Sequence, residues 1–123
     1  MRQLLSAREL TPSQVGLLFE RASQFQSTQP APPLLQGVHV LTVFFEESTR
    51  TRLSFEAAAR RLGAQVLHFA ASSSSVKKGE SLLDSVRNLL AIVQGPSIVV
   101  VRHPSSGSAR FLKQQLGDVP VIN

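Results

Sequence analysis

Val38-His39-Val40-Leu41-Thr42-Val43-Phe44-Phe45-Glu46-Glu47-Ser48-Thr49-Arg50-Thr51-Arg52-Leu53-Ser54-Phe55-Glu56 contains the change of period that decides the fold. The run up to Phe44 is mostly apolar and reads as a buried strand. Farther on, Phe55, Ala58, Ala59 and Leu62 recur at i, i+3, i+4 and i+7, the spacing of a helix face. Ser48-Thr49-Arg50-Thr51-Arg52 therefore falls where a strand ends and a helix begins. In an α/β sheet that is the edge at which ligands collect. The first helical N–H groups lack intrahelical partners and carry the positive end of the macrodipole, so the turn suits an anion. Three hydroxyls and two guanidinium groups share these five residues, and guanidinium forks match phosphate oxygens bidentately. The expectation is a phosphate cradle built without a glycine-rich loop. The plainer alternative makes Ser48 only an N-cap and Arg52 with Glu56 only a surface i, i+4 pair. Two arginines in the first turn weigh against it, because cations there are unfavourable by roughly 0.3–1 kcal/mol each. Glu46 and Glu47 offset part of that charge; a bound phosphate would offset it better.

Outward from this stretch the chain alternates. Strand 38–44 leads to helix 49–62, and strand 65–70 leads through a polar loop to helix 81–93. Strand 97–102 leads to helix 107–117, and a last strand covers 119–122. Before the first strand, Thr11-Pro12-Ser13 opens a helix with an apolar stripe of Val15, Leu18, Phe19, Ala22 and Phe25. Gln26 through Gln36, rich in Pro, Ser and Gln, reads as a loop. Repeated strand–helix units imply an α/β fold: a mostly parallel sheet flanked by helices, with right-handed crossovers.

With 123 residues the chain is one domain at most. It has no cysteine, which excludes disulfides and thiol nucleophiles and fits a cytoplasmic protein. No apolar run approaches the length of a membrane span, so no membrane association is expected. The net charge of +5 raises the question of nucleic acid. The basic residues are scattered, however, and Tyr and Trp are absent, so there is no stacking platform. The charge suits small acidic substrates instead. No His pair has metal-ligand spacing, and no cofactor is expected.

Two further segments carry candidate chemistry. Ser72 through Glu80 is a long polar loop with adjacent ammonium groups on Lys77 and Lys78 and a flexible Gly79. It reads either as solvated or as a lid bringing a lysine and a serine onto an anion. Arg102-His103-Pro104 ends the third strand, so Arg102 falls on the same sheet edge as Ser48–Arg52. His39, His68 and His103 are read as structural.

Together these segments resemble the carbamoyltransferase family over the full length of the chain. The most specific part is Phe45 through Glu56, which is similar to the family's carbamoyl-phosphate signature without a mismatch. The Ser-Thr-Arg-Thr-Arg run is shared by branches that use different acceptors. The segment Ser74-Ser75-Val76-Lys77-Lys78-Gly79-Glu80-Ser81 resembles the branch that carbamoylates L-aspartate, in pyrimidine biosynthesis. The resemblance implies that Ser48, Thr49, Arg50 and Thr51 hold the phosphate, and that Thr51 and Arg102 reach the carbonyl oxygen. Arg50, Thr51 and Arg102 are thereby the catalytic candidates. It also implies that Ser74 and Lys78 serve a neighbouring subunit's site in a homotrimer, with Lys78 touching aspartate. Regulatory or other partner subunits stay open. The family's next motif, His-Pro-x-Gln, and its aspartate-binding domain do not occur within residues 1–123. The expectation is thus an incomplete carbamoyl-phosphate-binding domain, inactive alone. The alternatives are a carbamoyltransferase for ornithine or another amino acid, and a non-catalytic phosphate-binding module.

Overall fold

The computed structural model describes residues 3–27, 32–71 and 81–123. A 3-10 turn at Ala7–Glu9 precedes α1 (Pro12–Ser27). Then come β1 (His39–Phe44), α2 (Thr49–Arg61), β2 (Gln65–Ala70), α3 (Leu82–Val93), β3 (Ser97–Arg102), α4 (Ser108–Leu116) and β4 (Val121–Ile122). The elements match the expected order to within a residue or two at most ends. The last strand is shorter than its apolar pattern. Pro120 has no N–H for the ladder, although its carbonyl accepts from the Val99 amide at 2.9 Å.

All strand pairings are parallel, in the order β2-β1-β3-β4. β1 pairs with β2 on one side, and β3 crosses to the other side of β1 instead of lying beside β2. The direction of winding therefore reverses at the β1/β3 boundary, which is where an open α/β sheet forms its ligand crevice.

Because strand side chains alternate, β1 feeds two cores. Leu41 and Val43 pack with Val99, Val101, Val86, Leu112 and Val121 under α3 and α4. Val40 and Phe44 pack with Val100 and Ala59 of α2 on the opposite face. Leu41 and Leu112 are fully buried, each contributing about 1.5–3 kcal/mol by leaving water.

Two expectations need correction. The apolar stripe of α1 is not a core face, since none of its residues is buried and Phe19 is 70% exposed. Val15 and Phe25 are half-buried, and Phe25 lies beside Ala58 and Arg61 of α2 and its C-cap Leu62. On α2 the buried residues are Glu56 and Ala59, while Ala58 stays exposed.

Ser81 caps α3 through a reciprocal box. The Asp84 amide donates to Ser81 Oγ at 3.1 Å, and the Ser81 amide donates to Asp84 Oδ2 at 3.3 Å. The Ser81 hydroxyl also donates to Asp84 Oδ2 at 2.6 Å, and it is the first cause holding this carboxyl below its ordinary range, ahead of the amide. A lowered folded-state value means that Asp84 stabilises the native state above the unfolded carboxylate range. That contribution is lost as pH falls through the folded value. Asp84→Asn should accordingly lower the melting temperature at pH 7 and leave it unchanged in strong acid, checked by thermal melts at both pH values.

Candidate functional site

Three neighbouring strands, β2, β1 and β3, end together. Phe44 is in register with Ala70 on one side and Arg102 on the other, and the Phe45 amide donates to the Arg102 carbonyl at 2.8 Å. From this rim the chain turns through Glu46 and Glu47 to Ser48, the N-cap of α2. Ser48 does not cap with its side chain; its carbonyl accepts from the Arg52 amide at 2.9 Å. Among the described residues nothing accepts from the amides of Thr49, Arg50 and Thr51. These are the orphan donors of a helix N-terminus.

The two arginines of this turn have different surroundings. Arg52 donates from Nη1 to Glu56 Oε1 at 3.1 Å. Arg50 is exposed and, among the described residues, makes no hydrogen bond or ion pair. The unfavourable cation at the helix start is thus answered at Arg52 and left open at Arg50.

Two clefts flank the turn. One, of about 340 Å³, is bordered by Glu46, Glu47, Ser48, Thr49, Arg52 and His68. The other, of about 270 Å³, brings Thr51 and Arg102 together with Glu46, Phe55 and His103. Thr51 and Arg102 thus line one cleft at the β1/β3 boundary. Arg102 Nε lies 3.6 Å from Glu46 Oε1, with both side chains close to half exposed. Such a pair is worth at most about 1 kcal/mol, so an arriving anion can draw Arg102 away at little cost. Glu46 compensates Arg102, then, and not the helix arginines.

His103 is held as a structural residue. Its Nδ1 accepts from the Ser105 amide at 3.0 Å and sits 2.9 Å from Ser108 Oγ, while its ring leans on Phe45 at 5.0 Å between centroids. His39 lies at the opposite end of β1. Ser74, Lys77 and Lys78 fall outside the described residues. Among the described residues no group of three or more His, Asp or Glu side chains is arranged to hold a metal. No helix among them is long and apolar enough to cross a membrane.

Sequence reasoning missed a buried polar cluster behind the turn. Glu56 is only 8% exposed, and its Oε1 accepts from Thr42 Oγ1 at 3.1 Å as well as from Arg52. His68 Nδ1 lies 3.0 Å from the same Thr42 hydroxyl. The available signal was Thr42, a polar residue on the α2-facing side of an otherwise apolar strand.

The family described as aspartate/ornithine carbamoyltransferase, carbamoyl-P binding domain, matches residues 2–123. The chain belongs to this family. Among the carbamoyltransferases it is similar to the aspartate carbamoyltransferase catalytic subunit of Maricaulis maris. The two are 45% identical over 126 residues, covering 99% of this chain and 38% of that one. The catalytic subunit of M. jannaschii aspartate transcarbamoylase superposes with a TM-score of 0.84 at 39% identity, over 100% of this chain and 40% of that one. The Trypanosoma cruzi aspartate transcarbamoylase, solved with carbamoyl phosphate and aspartate, superposes with a TM-score of 0.83 at 33% identity. That match covers 99% of this chain and 38% of that one. The chain spans about two-fifths of the length of these relatives. At one sheet edge this carbamoyltransferase chain carries helix amides and a guanidinium that have no partner among the described residues, and a hydroxyl–guanidinium cleft. That set is able to grip a phosphate and donate to a neighbouring carbonyl oxygen.

Proposed function

We propose that this chain is the carbamoyl-phosphate-binding part of an aspartate carbamoyltransferase, acting in pyrimidine biosynthesis in the cytoplasm. The observation that carries the reading is the α2 N-terminal turn, where Arg50, without a partner among the described residues, is flanked in sequence by Ser48 and Thr49, which line one cleft, and by Thr51, which lines a second with Arg102. The amides of the turn, Ser48, Thr49, Arg50 and Thr51 hold the phosphate of carbamoyl phosphate. Thr51 and Arg102 donate to its carbonyl oxygen. The α-amino group of L-aspartate attacks the carbonyl carbon, and the tetrahedral intermediate collapses with loss of phosphate, leaving N-carbamoyl-L-aspartate. The donors at Thr51 and Arg102 answer the charge that develops on the oxygen, a contribution of about 3–4 kcal/mol for one such donor. Arg50 meets the charge that gathers on the departing phosphate. Ser74 and Lys78 act in the neighbouring subunit's site of a homotrimer, with Lys78 drawing in aspartate. Relatives whose names specify aspartate favour this acceptor over ornithine.

A crystal of the whole protein soaked with phosphate or carbamoyl phosphate is the direct test. The anion is expected against the amides of Thr49–Thr51 and the Arg50 guanidinium. An empty turn with the ligand bound elsewhere would overturn the reading.

A further inference from the structure

We propose that Glu56 is a positioning residue for the anion turn: by holding and neutralising Arg52, it leaves Arg50 as the working cation and limits how tightly the turn grips phosphate. The proposal rests on the function given above and adds to it the origin of the site's affinity.

The geometry differs from that of a surface i, i+4 pair. A surface pair is mobile and screened, and contributes little. Here Glu56 is 8% exposed, and a single carboxylate oxygen, Oε1, takes both hydrogen bonds. Thr42, which is fully buried in the central strand, supplies one of them. A hydroxyl has one proton to give. With that proton on Glu56, the Thr42 oxygen accepts from His68 Nδ1–H at 3.0 Å, and the same N–H lies 3.2 Å from the Thr42 carbonyl. The chain His68–Thr42–Glu56–Arg52 thus runs from the sheet to the guanidinium, and the sheet fixes where Arg52 can be.

That location is beside the ligand. Arg52 borders the same cleft as Ser48 and Thr49, so its charge acts on whatever the turn binds. Paired with Glu56, it presents nearly no net charge there. Freed of the carboxylate's charge, it would add a second cation to the cradle, and a phosphate product would leave more slowly. Glu56 therefore acts through Arg52, touching no substrate.

The test is a titration of the whole protein with inorganic phosphate at fixed salt, using Glu56→Gln, Arg52→Gln and the double variant. Glutamine keeps the acceptor oxygen for Thr42 and Arg52 and removes only the charge. Glu56→Gln should tighten phosphate by about three- to tenfold, and Arg52→Gln should weaken it by a similar factor because Glu56 is left uncompensated. The double variant, neutral again, should return to within about twofold of the parent. A carboxylate that merely supports the fold gives no tightening, so unchanged or weaker binding in a folded Glu56→Gln protein overturns the proposal. Should that variant not fold, unaltered phosphate affinity in Arg52→Gln overturns it equally. Arg50→Ala separates this failure from that of the wider reading. If Arg50→Ala binds phosphate like the parent, the anion turn itself is misassigned. If Arg50→Ala loses phosphate while Glu56→Gln does not tighten it, only the role of Glu56 falls.

Discussion

Replacing Arg50 by alanine in the whole protein is expected to lower turnover by at least about a hundredfold while leaving the fold intact. Both halves of the expectation come from the same observation. The side chain is exposed and, among the described residues, has no partner, so truncating it breaks no contact that supports α2 or the sheet. The contact proposed for it is charge-assisted and gains strength as negative charge accumulates on the leaving phosphate. An interaction of that kind lowers the barrier more than it tightens the ground state. Steady-state rates with saturating substrates, beside circular dichroism and a melting curve, check both halves. A well-folded variant with near-normal turnover would reduce Arg50 to an ordinary surface arginine.

The second large effect is a recovery of activity. Arg50→Ala and Lys78→Ala chains should each assemble into inactive homotrimers if every site draws Lys78 from the adjacent subunit. Mixing the two after dissociation, and letting them reassemble, should restore measurable activity. A Lys78→Ala chain offers its intact Arg50, and an adjacent Arg50→Ala chain supplies the missing lysine, so one parental site is rebuilt. Native mass spectrometry or a charge tag identifies the mixed trimers. Mixed trimers as inactive as their parents would mean that each site is contained in one chain.

Much of this fold was legible because its strands are short apolar runs separated by amphipathic stretches, and those two periods are hard to confuse. What covers a face was not legible. Val15, Leu18 and Phe19 mark the apolar side of α1 correctly, yet periodicity carries no information about a partner for it, and most of the stripe stays exposed. The order of strands was also hidden. Arg102 could be assigned to the correct edge, but its meeting with Thr51 depends on β3 lying against β1, a tertiary choice. The burial of Glu56 was missed for a third reason. A glutamate four residues after an arginine looks like a solvated pair, and its burial becomes visible only when Thr42 is seen facing it across the sheet–helix interface. The turn that opens α2 was the most readable part of the candidate site, since hydroxyls, guanidinium groups and helix start lie within five consecutive residues.

The pairing of Leu4 with β4 bears on how this chain is made. The Leu4 amide donates to Val121 O at 3.0 Å, and the Asn123 amide returns to Leu4 O at 2.9 Å. The Asn123 side chain then reaches Leu5 O at 3.1 Å across a separation of 118 residues. On a ribosome adding about 5–20 residues per second, Leu5 is synthesised roughly 6–24 s before the asparagine that holds it in place. Throughout that interval a leucine destined to be 92% covered has no seat, since its exposure falls to 8% only in the finished core. The segment around Leu4 and Leu5 thus docks only after β4 has been made, and until then the outer edge of β3 stays unpaired.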